Sequence, residues 1–301
     1  MRHLPIPHPK TLIKDFSLGL GAVAAGFSVA EPVDRATMRR FDNFIESGAF
    51  GEMHYLERYR DIRSDPRLLL PGAATVISLA FPYRPPGGYH HQLVADYALG
   101  QDYHTVLKER LNPLVRFMAE NYGAQSRVCV DTAPILERYW AQKSGVGFIG
   151  QNSQLIVPGV GSGVFLAEIV TTLRLEPDAP LDLGCDNCGK CARACPGQAI
   201  SPNGFDARKC HSYLSIEYRG PFPSGFSLGQ CVYGCDICQR VCPHNRPEPP
   251  EPLPEFLPDP RLVGIDRQSL ENLTSGDWRR LSRDSAMSRI SFRQLKRNLQ
   301  G

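Results

Sequence analysis

The stretch Cys185–Pro243 constrains this chain more than any other. It reads C-D-N-C-G-K-C-A-R-A-C-P-G at Cys185–Gly197 and Y-G-C-D-I-C-Q-R-V-C-P at Tyr233–Pro243, and nine of the ten cysteines lie between Cys185 and Cys242. The first run has the spacing C-x2-C-x2-C-x3-C-P of bacterial two-cluster ferredoxins. Three closely spaced thiolates wrap one iron–sulfur cube, and the fourth, followed by proline, reaches to a second cube. A second run must then lend its last cysteine back, and Cys235, Cys238 and Cys242-Pro243 supply it. Cluster one would take Cys185, Cys188, Cys191 and Cys242. Cluster two would take Cys195, Cys235, Cys238 and one more. A regular repeat would place that ligand at Val232, so spacing leaves Cys210 and Cys231 as alternatives. Zinc sites and disulfides are the blander readings. The spacing is not a usual zinc pattern, and disulfide frameworks suit small secreted chains, not 301 residues with clustered cysteines.

A chain of this length has room for two domains or one large domain with appendages. No apolar run approaches the roughly 18 residues of a membrane-spanning helix. Phe16–Ala30 is apolar and small-residue-rich, as a signal peptide would be. Against that reading, Pro5, Pro7 and Pro9 precede it, Asp15 abuts it, and the twin-arginine pair expected for export of a folded cluster protein is missing. A helix ending near Gly21 or Gly26, then a short strand, is the plainer reading. Reduced thiols also suit the cytoplasm, which is the expected location. The net charge of +3 decides little without its distribution.

In chain order, residues 10–25 and 34–48 read as helices and Ala73–Tyr83 as a buried central strand. A helix from Tyr103 follows, kinked at Pro113, and then a strand at Arg127–Asp131, in which Cys129 reads as a small buried hydrophobe. The pattern continues with a helix from Pro134, a glycine-rich turn at Ser144–Asn152, and strands at Gln154–Val157 and Val164–Leu173. The expected division is an α+β domain over residues 1–182, a ferredoxin-like unit over 183–246, and a strap and tail over 247–301. Pro247–Pro260 holds seven prolines and reads as extended. Asp277–Asn298 sets seven Lys and Arg against two Asp. Arg289, Arg293, Lys296 and Arg297 would share one helix face, either solvated or placed on a phosphate backbone.

Cluster electrons need an acceptor, and composition does not name it. There is no G-x-G-x-x-G after a strand, no P-loop, and no D-x-H-x-x-G cobalamin fingerprint. Asp131 ends a strand before a helix, as either a helix-start charge or a general acid at a strand end. Arg138 is a surface cation or an anion clamp. His104 reads more readily as a structural hydrogen-bonder than as a ligand.

At this point the residues resemble a family. G-E-M-H-Y-L-E-R at Gly51–Arg58, R-S-D-P-R-L-L-L-P-G-A at Arg63–Ala73, and Y-A-L-G-Q-D-Y-H at Tyr97–His104 are similar to the epoxyqueuosine reductases. So are V-D-T-A-P-I-L-E-R at Val130–Arg138, G-V-G-F-I-G-Q-N at Gly145–Asn152, D-A-R-K-C-H-S-Y-L-S-I-E at Asp206–Glu217 and Y-G-C-D-I-C-Q-R-V-C-P-H-N at Tyr233–Asn245. The resemblance covers nearly the whole chain. It implies a nitroreductase-like α+β domain that binds cobalamin without a protein histidine below the cobalt, two 4Fe–4S clusters, and a tRNA substrate carrying epoxyqueuosine in the anticodon loop.

The same resemblance makes Asp131 the proton donor and Cys210 the eighth cluster ligand, with Cys231 a bystander. It sets Arg58, Tyr97, Asp131, Arg138, Leu155, Leu166, Ile169, Ser212, Gly234 and Asp236 in the corrinoid pocket. Arg293, Lys296 and Arg297 would face tRNA. It further implies an external low-potential electron donor, a monomer, and a short form without C-terminal helical repeats. Gln151 stands where the family usually has lysine. For Asp131 to stay protonated near neutral pH, burial should raise its pKa. A corrinoid reductive dehalogenase and a plain two-cluster electron carrier are the rival readings.

Overall fold

The computed structural model describes residues 8–85, 87, 89–202 and 204–300. The calls on Pro5 and Pro7 fall outside that range. The chain opens with helix α1 (Pro9–Gly19), strand β1 (Ala24–Val29) and helix α2 (Arg35–Glu46). Short helices α3 (Arg60–Ser64) and α4 (Pro66–Leu69) lead into β2 (Thr75–Pro82). Next come α5 (Tyr103–Tyr122), β3 (Ser126–Cys129), α6 (Glu137–Lys143), the hairpin β4 (Phe148–Ile149) and β5 (Leu155–Ile156), and β6 (Val164–Thr171). The cysteine-rich region holds α7 (Lys190–Ala194), β7 (Ile200–Ser201), β8 (Gly204–Phe205), α8 (His211–Ile216) and α9 (Ile237–Arg240). The tail adds α10 (Arg267–Asn272), α11 (Ser275–Ser282) and α12 (Phe292–Gln300).

Four strands form an antiparallel sheet in the order β1-β2-β6-β3. Side chains alternate along a strand, so each face has its own residue set. Ile77, Leu79 and Phe81 of β2 join Phe165, Ala167 and Ile169 of β6 against Ile13 of α1 and Leu107, Leu111, Leu114 and Met118 of α5. On the other face, Val76, Val170 and Cys129 pack with Met38 of α2 and Trp140 of α6. Both faces are covered, which is why all eight residues of β2 are buried. The register sets Glu168 opposite both Ser78 and Cys129. A carboxylic acid therefore stands in the layer beneath α6, fully excluded from solvent.

The structure corrects several expectations. The helix read over 10–25 stops at Gly19, nearer the Gly21 end of that reading than the Gly26 end, and the short strand expected after it is β1, with Gly21 in the left-handed region (φ 97°) at the break. The run is apolar enough for either form, and pairing with β2 selects the strand. Its signal-like character is core character: Phe27 has no exposed surface. Helix α6 begins at Glu137, not Pro134, because residues 131–135 form a run of bends. The glycine-rich turn at Ser144–Asn152 contains β4. Helix α5 continues through Pro113 to Tyr122.

The tail is a packed cap. Leu93, Val94 and Leu99 from before α5 form a second core with Ile216, Val232, Tyr233, Trp278, Met287, Ile290, Leu295 and Leu299. Asn298, wholly buried, donates to the carbonyls of Ser215 and Val232, both at 2.8 Å. The proline strap crosses back over the first domain and turns Phe256 (2% exposed) into the sheet's core, against the Phe165 ring. Gly100 makes room for it, since a β-carbon there would meet Glu255 O and Phe256 Cα at 2.7 Å. Truncating a buried phenylalanine costs about 3–5 kcal/mol. Phe256→Ala should lower the unfolding free energy by that amount in denaturant titrations, although residue 256 lies outside both the sheet and the cysteine runs.

Candidate active site and thiol cages

Asp131 follows the buried end of β3 and adopts a left-handed backbone (φ 54°). The Thr132 amide bonds back to Val130 O at 2.6 Å, and the Asp131 amide donates to Glu137 Oε1 at 2.5 Å. The Asp131 side chain is 58% accessible, and its carboxyl group looks out from among Tyr103, His104 and Arg138. Its partner comes from the start of α5. Asp102 caps that helix by accepting from the His104 amide at 3.0 Å, and the same Oδ1 meets His104 Nδ1 at 2.6 Å. The other ring nitrogen, Nε2, lies 3.0 Å from Asp131 Oδ2. Both imidazole nitrogens are therefore engaged. The ring stacks on Tyr103 at 4.0 Å, and Tyr103 stacks on Phe165 at 4.3 Å.

Charge assignments follow from this geometry. Burial opposes a positive His104, but hydrogen bonds and attraction from Asp102 and Asp131 outweigh it and raise its pKa to about 9. Desolvation pushes the Asp131 carboxyl upward, yet His104, Tyr103 and Arg138 hold it below the usual carboxylate range. With nothing covering the site, the shared proton therefore rests on His104. Glu137 goes the other way. Burial and the charge of Asp131 push it up to about 8. Glu168 is raised further, by burial first and Glu137 second.

The wall facing Asp131 was not legible in the sequence. Arg289 binds Glu217 through Nε (3.1 Å) and Nη2 (2.9 Å) and lies over the Tyr55 ring at 5.9 Å. Tyr55, Arg63 and Arg289 all feel the Asp131 charge. Arg289 sits on a short turn (Ala286–Arg289) before α12, so the four-cation helix face is not formed. Arg297 turns inward, donating to the carbonyls of Leu214, Tyr218 and Gly220 and stacking on Phe222 at 4.3 Å. Lys296 bonds Glu271 O, while Arg293 is exposed.

The expected corrinoid residues divide in two. Arg58 and Arg138 are exposed, and Tyr97, Leu166 and Ser212 are partly so. Arg138 also donates to Ser153 O at 2.8 Å. By contrast, the Leu155 and Ile169 side chains are committed to the core. Asp236 (4% exposed) accepts from the Asp96 amide at 2.7 Å. Gly234 is packed so closely on Ala95 that a β-carbon would fall 2.5 Å from Ala95 Cβ.

Cys185, Cys188, Cys191 and Cys242 line one cavity, together with Gln151, Lys190 and His244. Gln151 lies 3.7 Å from Cys191 Sγ. Cys195, Cys210, Cys235 and Cys238 are electrostatic neighbours of one another. Cys231 is buried beside Cys235, with its Sγ 3.6 Å from Gln92 O. Two groups of four thiols fit two cubanes, each of which requires four thiolate ligands.

An α+β domain that presents an imidazole-linked acid beside a double thiol cage defines a two-cluster iron–sulfur reductase. The chain belongs to the epoxyqueuosine reductase family. Residues 63–132 match the family described as "Epoxyqueuosine reductase QueG, DUF1730", and residues 184–245 match "4Fe-4S double cluster binding domain". The epoxyqueuosine reductase of Cellulophaga algicola is 38% identical over 297 residues, covering 96% of each chain. That of Salmonella typhimurium is 34% identical over 95% of this chain and 77% of its own. A crystal structure of an epoxyqueuosine reductase with an epoxyqueuosine-modified tRNA-Tyr stem loop superposes with a TM-score of 0.87 at 29% identity, over 96% of this chain and 79% of that one. The Bacillus subtilis enzyme, in a structure with its catalytic aspartate loop swung out of the active site, gives 0.86 at 28%, with coverages of 96% and 79%. The family uses two 4Fe–4S clusters and cobalamin. No helix among the described residues is long and apolar enough to cross a membrane.

The raised His104 makes a signed prediction. Its folded pKa of about 9 exceeds the ordinary 6.5, so the stability it adds is complete below 6.5 and lost as pH rises through 9. The stability gap between wild type and His104→Asn, measured by denaturation, should therefore be open at pH 7 and close at pH 10.

Proposed function

We propose that this protein reduces epoxyqueuosine to queuosine at the wobble position of tRNA, with Asp131 delivering the proton that opens the epoxide. The carrying observation is the contact between His104 Nε2 and Asp131 Oδ2, which joins an accessible carboxylate to an imidazole that retains a proton up to about pH 9. Converting an epoxide to an alkene takes two electrons and two protons and releases water. When bound, cobalamin supplies the low-valent cobalt reductant, and the clusters deliver electrons to it singly.

The protein's own residues handle the protons. Covering the recess removes water from the Asp131 carboxylate, and desolvation then favours its neutral form. The His104 proton moves to Asp131 and from there to the epoxide oxygen. A second proton entering at His104 restores the pair for the departure of water. Asp102 keeps the imidazole oriented throughout. Arg58, Tyr97, Arg138, Leu166 and Ser212, all at least partly accessible, are assigned to hold the corrinoid edge.

The first cage is assigned to Cys185, Cys188, Cys191 and Cys242, and the second to Cys195, Cys210, Cys235 and Cys238. Arg293 is the tail's remaining candidate for a tRNA phosphate. The protein works as a cytoplasmic monomer fed by an external low-potential donor. Its units are residues 1–182, 183–246 and 247–301.

Reconstitution with iron, sulfide and cobalamin without oxygen, followed by turnover on epoxyqueuosine tRNA, tests the reading. Failure to form the alkene with full cofactor loading overturns it. Asp131→Asn should abolish turnover with cobalamin content unchanged. His104→Asn should lower kcat by about 10²–10⁴-fold, the usual worth of a general acid–base group. Cys210→Ser should cut bound iron to about half of the roughly eight atoms expected for two cubanes, whereas Cys231→Ser should leave the iron content unchanged.

A further inference from the structure

Asp131 is held in the left-handed region, which aspartate visits more readily than most non-glycine residues. A catalytic residue in that region keeps one fixed direction only where its surroundings impose it. Two contacts do so. One, from His104 Nε2 to Oδ2, involves the side chain whose protonation changes during the reaction. The other is independent of that proton: the Asp131 amide donates to Glu137 Oε1 at 2.5 Å.

Glu137 is well anchored for this task. It is the first residue of α6, and its side chain folds back over the preceding loop. The helix lies on the sheet through Trp140 and Ala141, neither of which has exposed surface. Below it, Glu168 projects from β6 into the same layer opposite Ser78, and no cation pairs with its carboxyl among the described residues. A second negative charge in that layer would be strongly disfavoured, and both acids are pushed towards the neutral form. A neutral carboxyl still accepts through its carbonyl oxygen.

We propose that Glu137 is the positioning residue of this site. It fastens the catalytic loop to α6 through the Asp131 amide, so that the backbone and not the migrating proton sets the direction of the acid. The inference rests on the reading that Asp131 is the proton donor. It separates two jobs that otherwise fall on one side chain: His104 handles the proton and Glu137 handles the geometry.

The test uses Glu137→Ala, Glu137→Asp and Glu137→Gln in the reconstituted enzyme, with hydrogen exchange over residues 130–136 measured beside turnover. Asp is one methylene too short to reach the amide. Gln presents a carbonyl at the same place. Ala and Asp should speed loop exchange about tenfold, the worth of one hydrogen bond. They should lower kcat about 10²-fold, the usual cost of a misplaced reacting group, with KM for tRNA unchanged. Gln should restore slow exchange and most of kcat. Should Ala fail to fold, Asp carries the comparison. Wild-type exchange and kcat in the Ala or Asp variant would overturn the proposal. So would a Gln variant with slow exchange but kcat as low as that of Asp, since Glu137 would then act through its proton. Turnover by Asp131→Asn would instead remove the underlying reading and leave the exchange result standing.

Discussion

The antiparallel pairing of β2 with β6, eight residues long and buried on both faces, is the contact from which the site hangs. One face takes α1 and α5, and the other takes α2 and α6. Helix α5 delivers Asp102 and His104 from its first turn, and β3, paired to β6, delivers Asp131 from its end. The proton-bearing contact thus joins two elements fixed to the same sheet. Neither could shift without opening a core of fully buried aliphatic side chains.

The electrostatics follow from that placement. Asp131 faces His104, Arg138 and the Arg63–Tyr55–Arg289 wall, and its charge is stabilised there. Behind it Glu168 is fully buried and Glu137 partly so, and both are pushed towards the neutral form. Carboxyl groups close in space are thereby sorted into one that exchanges protons and two that keep theirs, by solvent access and neighbours alone.

How much of this could be read from the chain depended on how local each signal was. The cysteine spacing announces its chemistry within short runs. Asp131 was legible as a candidate because a strand end before a helix is a local pattern. The role of His104 was not: its partners are Asp102, two residues back, and Asp131, 27 residues on, and only the fold joins them. The basic tail misled for the converse reason. Helical periodicity grouped Arg289 with Arg297, but a turn before α12 separates them, and Arg297 points into the protein to satisfy three carbonyls. At the N-terminus, an apolar run compatible with a helix became β1 because an open edge of β2 was there to pair with it.

The strap gives the chain an order of assembly. Phe256 closes the sheet's core, yet it follows every cysteine in sequence. During synthesis from the N-terminus, the catalytic layer remains unsealed until the whole cysteine region has left the ribosome. The core of the first domain is therefore completed by a residue that follows all ten cysteines. The last turn of the strap locks the catalytic layer only after the thiols are available, so a chain interrupted before residue 256 would have every cysteine but a leaking core.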